Sequence, residues 1–250
     1  MCSAEAAKNT FERVRILAID ASTEACSVSL QIPGRRYSRS SSTPRAHAQA
    51  LLPMIDEVLS EASLNLSELD ALAIVNGPGS FTGLRIALSV LQGLAYGTNS
   101  PVYTASSLEV MASCFYPSKN SSDAETLVVP ALDARMDEVY WGAYLVGPKG
   151  VFTEKIPARV TALVDFKEEL EKLAESMAIF GLGEFFSSER MALKSLHGVD
   201  FSCAPSAEAL LEALPKFPSQ RQDILQVEPL YLRNEVAWKK RTRIRQQAIT

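Results

Sequence analysis

Histidine is nearly missing from this chain: His47 and His197 are its only two, and neither belongs to an H-x-x-H or H-E-x-x-H pattern. An isolated imidazole is more often a packed residue than a ligand, so zinc-hydrolase chemistry finds no ligand set here. A Ser–His–Asp triad assembled only in three dimensions stays open. Cysteine is scarce too. Cys2, Cys26, Cys114 and Cys203 lie far apart and form no C-x-x-C pair, which excludes the usual zinc spacings and gives no disulfide framework. They read as reduced thiols serving as small apolar groups. No segment reaches the ~18 consecutive apolar residues of a membrane span, and residues 1–13 lack the apolar core of a secretory signal. Positive charge is not in excess either. A net charge of -4 argues against a chain that wraps nucleic acid or membrane with its whole surface. The expectation is a cytoplasmic protein, with residues 1–14 a disordered extension.

What is present is a globular composition, 47% hydrophobic and 22% charged, in 250 residues, a length that favours two domains. Ile16–Asp20 is a short apolar run and Cys26–Ile32 alternates, with the polar Ala21-Ser22-Thr23-Glu24 between them, so the pair reads as a hairpin. Residues 35–40 supply a polar edge strand, and the Ser-rich stretch Ser38–Thr43 a loop. Leu51, Leu52, Ile55, Val58 and Leu59 fall at helical spacing over 47–62, with Pro53 kinking that helix or marking its start. Ala71–Val75 is a buried strand. It leads through Gly77-Pro78-Gly79-Ser80-Phe81-Thr82-Gly83 into a helix running to Tyr96 and ended by Gly97, then a strand at 101–104 and a helix at 107–114. The polar stretch 116–125 marks a domain boundary.

Beyond it the opening pattern recurs. Leu127–Leu132 is an apolar strand, Asp133–Glu138 a polar turn, and Val139–Val146 the return strand, so Asp20 and Asp133 occupy matching places. An acidic helix near 165–177, a strand at 178–183 and a helix at 206–214 follow. The domains are therefore 15–117 and 126–205, with 206–238 returning to pack on the first and a basic tail over 239–250. This is an α/β reading: two domains, each a mixed sheet flanked by helices, in the layout of the actin, hexokinase and heat-shock-chaperone superfamily.

In nucleotide-binding members of that superfamily, the two aspartate-led turns grip phosphate from opposite domains. Small hydroxyl side chains and free backbone N–H groups are what an anion requires. Ser22, Thr23 and Ser27 fit that description in the first turn, which Asp20 leads, while Met136 is bulky and glycine is absent in the second. Gly77, Gly79, Ser80, Thr82 and Gly83 join a strand to a helix N-terminus, an anion-binding arrangement, yet no G-K-[ST] makes it a P-loop. Spacing alone leaves two alternatives equally open: a ligand loop, vestigial here, or a tight turn with Ser80 or Thr82 as helix cap. The following helix has little polar surface. Leu84, Ala87, Leu88, Leu91, Leu94 and Ala95 form one face, and Ile86, Val90, Gly93 and Gly97 another, so it must be covered on two sides. The second cover is either helix 47–62 or another chain.

Four segments in order, Ile19–Val28, Gly77–Arg85, Asp133–Tyr140, and Tyr231–Asn234 with Ala237–Lys240, resemble the TsaB (YeaZ) family over about residues 16–240. The resemblance implies a subunit of the machinery that places threonylcarbamoyl on the adenosine beside the tRNA anticodon. In that system a paralogue, TsaD, performs the transfer, assisted by TsaB and by TsaE, a small ATPase. TsaD holds a metal through H-x-x-x-H, and here Ser107 and Met111 stand at those two places. A hydroxyl and a thioether do not replace two imidazoles. The family therefore implies a non-catalytic scaffold that needs no cofactor or metal of its own. Its partners would be a TsaD-like paralogue, a TsaE-like ATPase, and a second copy of itself when alone. The partner surface expected on this resemblance is Leu51, Ile55, Leu59, Ile86, Val90, Gly93 and Gly97. The basic stretch Trp238–Arg245 is the candidate for tRNA contact. The alternative class is a stand-alone enzyme, either a glycoprotease-like peptidase or a nucleotide-dependent phosphotransferase.

Overall fold

The computed structural model describes residues 11, 13–43, 47–115, 126–147, 152–187, 191, 196–217 and 221–233. The boundary stretch 116–125 and the basic tail lie outside these residues. The first sheet contains β1 (Ile16–Asp20), β2 (Cys26–Ile32), β3 (Arg35–Ser41), β4 (Ala71–Val75) and β5 (Val102–Ala105). The second contains β6 (Thr126–Arg135), β7 (Glu138–Val146), β8 (Phe152–Ala162), β9 (Ile179–Leu182) and β10 (Gly198–Asp200).

The strand orders β3-β2-β1-β4-β5 and β8-β7-β6-β9-β10 are the same order twice, with a two-residue β11 (Arg221–Gln222) added to the edge of the first. In each sheet the second strand runs antiparallel to the first, and the first runs parallel to the fourth. The fold is the actin-like two-domain architecture.

β1 and β4 are buried along their whole length, as near-continuous apolar strands covered on both faces must be. On one face lie α1 (His47–Ala62) and α2 (Phe81–Thr98), whose Leu51, Ile55, Val58, Ala87 and Leu91 join Leu17, Ile19 and Leu72 in one core. On the other face lie α3 (Ser107–Ser113) and α5 (Ala207–Ala213). There Val110, Ala207, Leu210 and Leu214 pack on Ile16, Ala18 and Ala73. The chain after the second sheet thus returns to the first domain. In the second domain α4 (Leu163–Ala174) places Phe166 and Leu170 against Trp141, whose indole N–H reaches Thr161 Oγ1 at 2.9 Å.

α3 has a second duty. Its Leu108, Met111 and Ala112 pack with Val128, Tyr144, Val146 and Leu182 of the second sheet, so one short helix is wedged between the domains.

Several expectations need correction. α1 runs unbroken through the exposed Pro53. α2 passes Gly97 and stops at Asn99, which takes the left-handed conformation (φ 53, ψ 32) that Asn tolerates. β8 was not expected: it is an edge strand containing Pro157, and an edge strand can spare a donor. Of the expected extension, Phe11, Arg13 and Val14 are among the described residues. Phe11 packs edge-on against Tyr103 at 5.3 Å, its carbonyl accepts from Gln31 Nε2 at 2.6 Å, and Val14 joins the same cluster.

Candidate functional site

The first turn and the glycine loop meet. Asp20 ends β1 almost fully buried, its Oδ1 accepting the Ser22 N–H at 2.9 Å. Burial pushes its carboxyl up from the ordinary 3.8 to about 6, against the opposing pull of the Ser22 hydrogen bond. The loop presses onto the turn so closely that a Cβ on Gly79 would stand 2.1 Å from the Ser22 carbonyl oxygen, and one on Gly83 2.0 Å from that of Ala21. These glycines are required by backbone packing within the chain. Ser80 caps α2, its Oγ accepting from Gly83 N at 3.2 Å. The Ser80 N–H donates to the Ser22 carbonyl at 2.7 Å, and the Leu84 N–H to the Ser80 carbonyl at 2.9 Å. Three N–H groups of the loop and helix start are thus bonded within the chain.

Gly77 turns the other way. It is left-handed (φ +113), and its carbonyl accepts from Ser107 N at 2.8 Å at the start of α3. Thr23 Oγ1 donates to its neighbour Ala25 O at 3.3 Å, and Thr82 is exposed. The structure therefore gathers Asp20, Ser22, Gly79, Ser80 and Gly83, and leaves Thr23, Gly77 and Thr82 aside.

His47 is a packing residue at this point. Its Nε2–H donates to the Glu24 carbonyl at 2.9 Å and ties the start of α1 to the first turn. The second turn is formed by Arg135, Met136 and Asp137, all three with left-handed φ of 64, 56 and 57. Asp133 Oδ1 accepts the Arg135 N–H at 2.8 Å. No glycine relieves this backbone, and Met136 is exposed. Ser107 and Met111, the two residues expected to stand where the paralogue has histidines, are both fully buried, Met111 in the joint between domains. Met111 Cε lies 2.5 Å from where a Cβ on Gly183 would stand.

The partner surface expected from sequence divides. Leu51, Ile55 and Leu59 are 0%, 3% and 7% exposed and face their own sheet. Baring each would cost about 1.5–3 kcal/mol, so they cannot serve a docking surface. Ile86 and Val90 are half-buried, and Gly93 and Gly97 are open, with nothing within 4 Å of a Cβ at either glycine. Sequence reading missed three neighbours on these helices, Leu52 (55% exposed), Phe81 (64%) and Tyr96 (89%). Leu52 lies at the edge of the 51/55/58/59 stripe, where helical spacing alone does not tell a covered position from an open one. Among the described residues, no helix is long and apolar enough to cross a membrane.

Comparison with known proteins follows this geometry closely. Residues 40–240 match a family model described as TsaD, tRNA N6-adenosine threonylcarbamoyltransferase. The chain is 36% identical over 243 residues to the tRNA threonylcarbamoyladenosine biosynthesis protein TsaB of Haemophilus influenzae, covering 92% of this chain and 98% of that one. It is 35% identical over 234 residues to TsaB of Escherichia coli K12, covering 91% and 98% respectively. Among solved structures, YeaZ from Pseudomonas aeruginosa is similar with a TM-score of 0.71 at 37% identity, over 88% of this chain and 100% of that one.

Proposed function

The chain belongs to the TsaB (YeaZ) family, and from that premise we propose that it is a non-catalytic subunit of the machinery that makes threonylcarbamoyladenosine in tRNA. It acts by docking a TsaD-like catalytic paralogue, and a TsaE-like ATPase joins the resulting complex. In the absence of the paralogue, the same face pairs with a second copy of the chain. The observation that carries this reading is the outer face of α2, where Ile86 and Val90 are only partly buried and Gly93 and Gly97 leave the backbone open to close approach. The absence of catalysis is supported by the loop donors spent on the chain's own carbonyls and by the apolar packing of Met111.

The test is reconstitution from purified parts: tRNA, threonine, bicarbonate, ATP, the synthase that forms the adenylate, the paralogue, the ATPase and this chain, with each protein omitted in turn. Labelled threonine should enter tRNA only when this chain and the paralogue are both present. Incorporation by this chain without the paralogue, or undiminished incorporation without this chain, would refute the proposal.

A further inference from the structure

The Tyr231–Arg233 segment was noticed as a motif, yet neither the docking face nor the glycine loop gives it a role. Its path does. At one end, the Leu230 N–H donates to the Asn76 carbonyl at 2.7 Å, and Asn76 Nδ2 to the Glu228 carbonyl at 3.4 Å. The segment lies flush on Gly77, since a Cβ there would meet the Leu230 carbonyl oxygen at 3.1 Å. The Tyr231 ring then stacks beside Phe81, with centroids 6.2 Å apart. Arg85 lies against both rings, its guanidinium carbon 3.2 Å from the Phe81 centroid and 5.3 Å from that of Tyr231.

Two residues later the chain has reached the other domain. The Arg233 guanidinium donates to the Glu138 carboxylate, to the Ala134 carbonyl at 3.1 Å, and weakly to Met136 Sδ at 3.9 Å. Those three residues frame the turn whose backbone is left-handed at three successive non-glycine positions. Such a conformation persists only where its surroundings over-determine it, and Arg233 supplies two of the restraints.

We infer that residues 228–233 are a latch that fastens the glycine loop of the first domain to the β6–β7 turn of the second. The charge-assisted Arg233–Glu138 bond is the bolt, and the Tyr231–Phe81–Arg85 stack is the hinge plate. Glu24 of the β1–β2 turn also reaches Arg135, at 3.6 Å, but these side chains are 90% and 75% exposed and such a pair holds little. Arg233 and Glu138 are only 22% and 34% exposed, and a guanidinium–carboxylate pair in that setting is shorter, stronger and less screened by salt. The wedge of α3 holds the domains by packing. The latch holds them at the two turns, and so sets whether those turns can part.

A latch must act reciprocally, because releasing either end frees both. Hydrogen exchange followed by mass spectrometry on the full chain reads this directly. Arg233→Ala, whose guanidinium bonds to Ala134, Met136 and Glu138 of the second domain, should speed exchange about tenfold in peptides covering 76–84 of the first. Tyr231→Ala, whose ring packs with Phe81 and Arg85 of the first domain, should speed exchange in peptides covering 133–139 of the second. Far-ultraviolet circular dichroism and unchanged exchange in β1 and β9 establish that each variant is folded. If each variant loosens only the end it touches, or neither loosens anything, the segment is a surface strand without a fastening role and the inference fails.

Discussion

Asp20 sits where the chain can least afford a charge. It is wholly enclosed at the end of β1, and burial raises its carboxyl from 3.8 to about 6. In the unfolded chain it ionises near 3.8, so between that pH and about 6 the folded state holds a proton that the unfolded state has released. Stability therefore falls as pH rises through this window, and the loss stays constant above it. At roughly 1.4 kcal/mol for each pH unit, the penalty is about 3 kcal/mol at neutral pH. Asp20→Asn keeps an oxygen to accept the Ser22 N–H and never ionises. Urea denaturation should find it more stable than the parent at pH 7.5, with the difference vanishing near pH 4. Sequence reading placed Asp20 in the first turn as a relic of phosphate binding, and position was as far as it reached. How deeply a carboxylate is enclosed depends on α1 and the glycine loop closing around it, neither of which the local string of residues encodes.

At the scale of elements, glycine is the clearest case of one residue type with opposite uses. In the loop, a methyl at Gly79 would be 2.1 Å from a backbone oxygen that cannot move without breaking the first turn. In α2, a methyl at Gly93 meets nothing within 4 Å. Gly79→Ala should lose about 1–3 kcal/mol or more to overpacking, while Gly93→Ala should gain about 0.5–1 kcal/mol from a stiffer unfolded chain and better helix propensity. Denaturant midpoints of the two variants check both signs at once. The contrast also explains what was legible. Helical periodicity found the buried stripe of α1 and both sides of α2, because 3.6-residue spacing is written along the chain. It could not say which apolar face was covered at home. Leu51, Ile55 and Leu59 looked as available as Ile86 and Val90 until the sheet beneath them was in view. The edge strand β8 was missed although Ile156, Ala158, Val160 and Ala162 alternate along it, because Pro157 breaks the run that would mark a strand.

For the whole molecule, the repeated strand order was legible because both halves begin with the same hairpin led by an aspartate. The return of the chain to the first sheet was expected. Its fastening of one turn to the other was not, since Tyr231 and Arg233 lie roughly a hundred residues or more from everything they touch. The reading of this molecule as a scaffold depends on the outer face of α2. That claim is tested most directly by isothermal titration of the TsaD-like paralogue with the parent chain and with Val90→Glu. The parent should bind saturably. The variant should keep the parent's circular dichroism, because Val90 is only partly buried and still reaches solvent, and bind at least about a hundredfold more weakly, because docking would bury an unpaired carboxylate. Equal affinity for parent and variant would contradict the account.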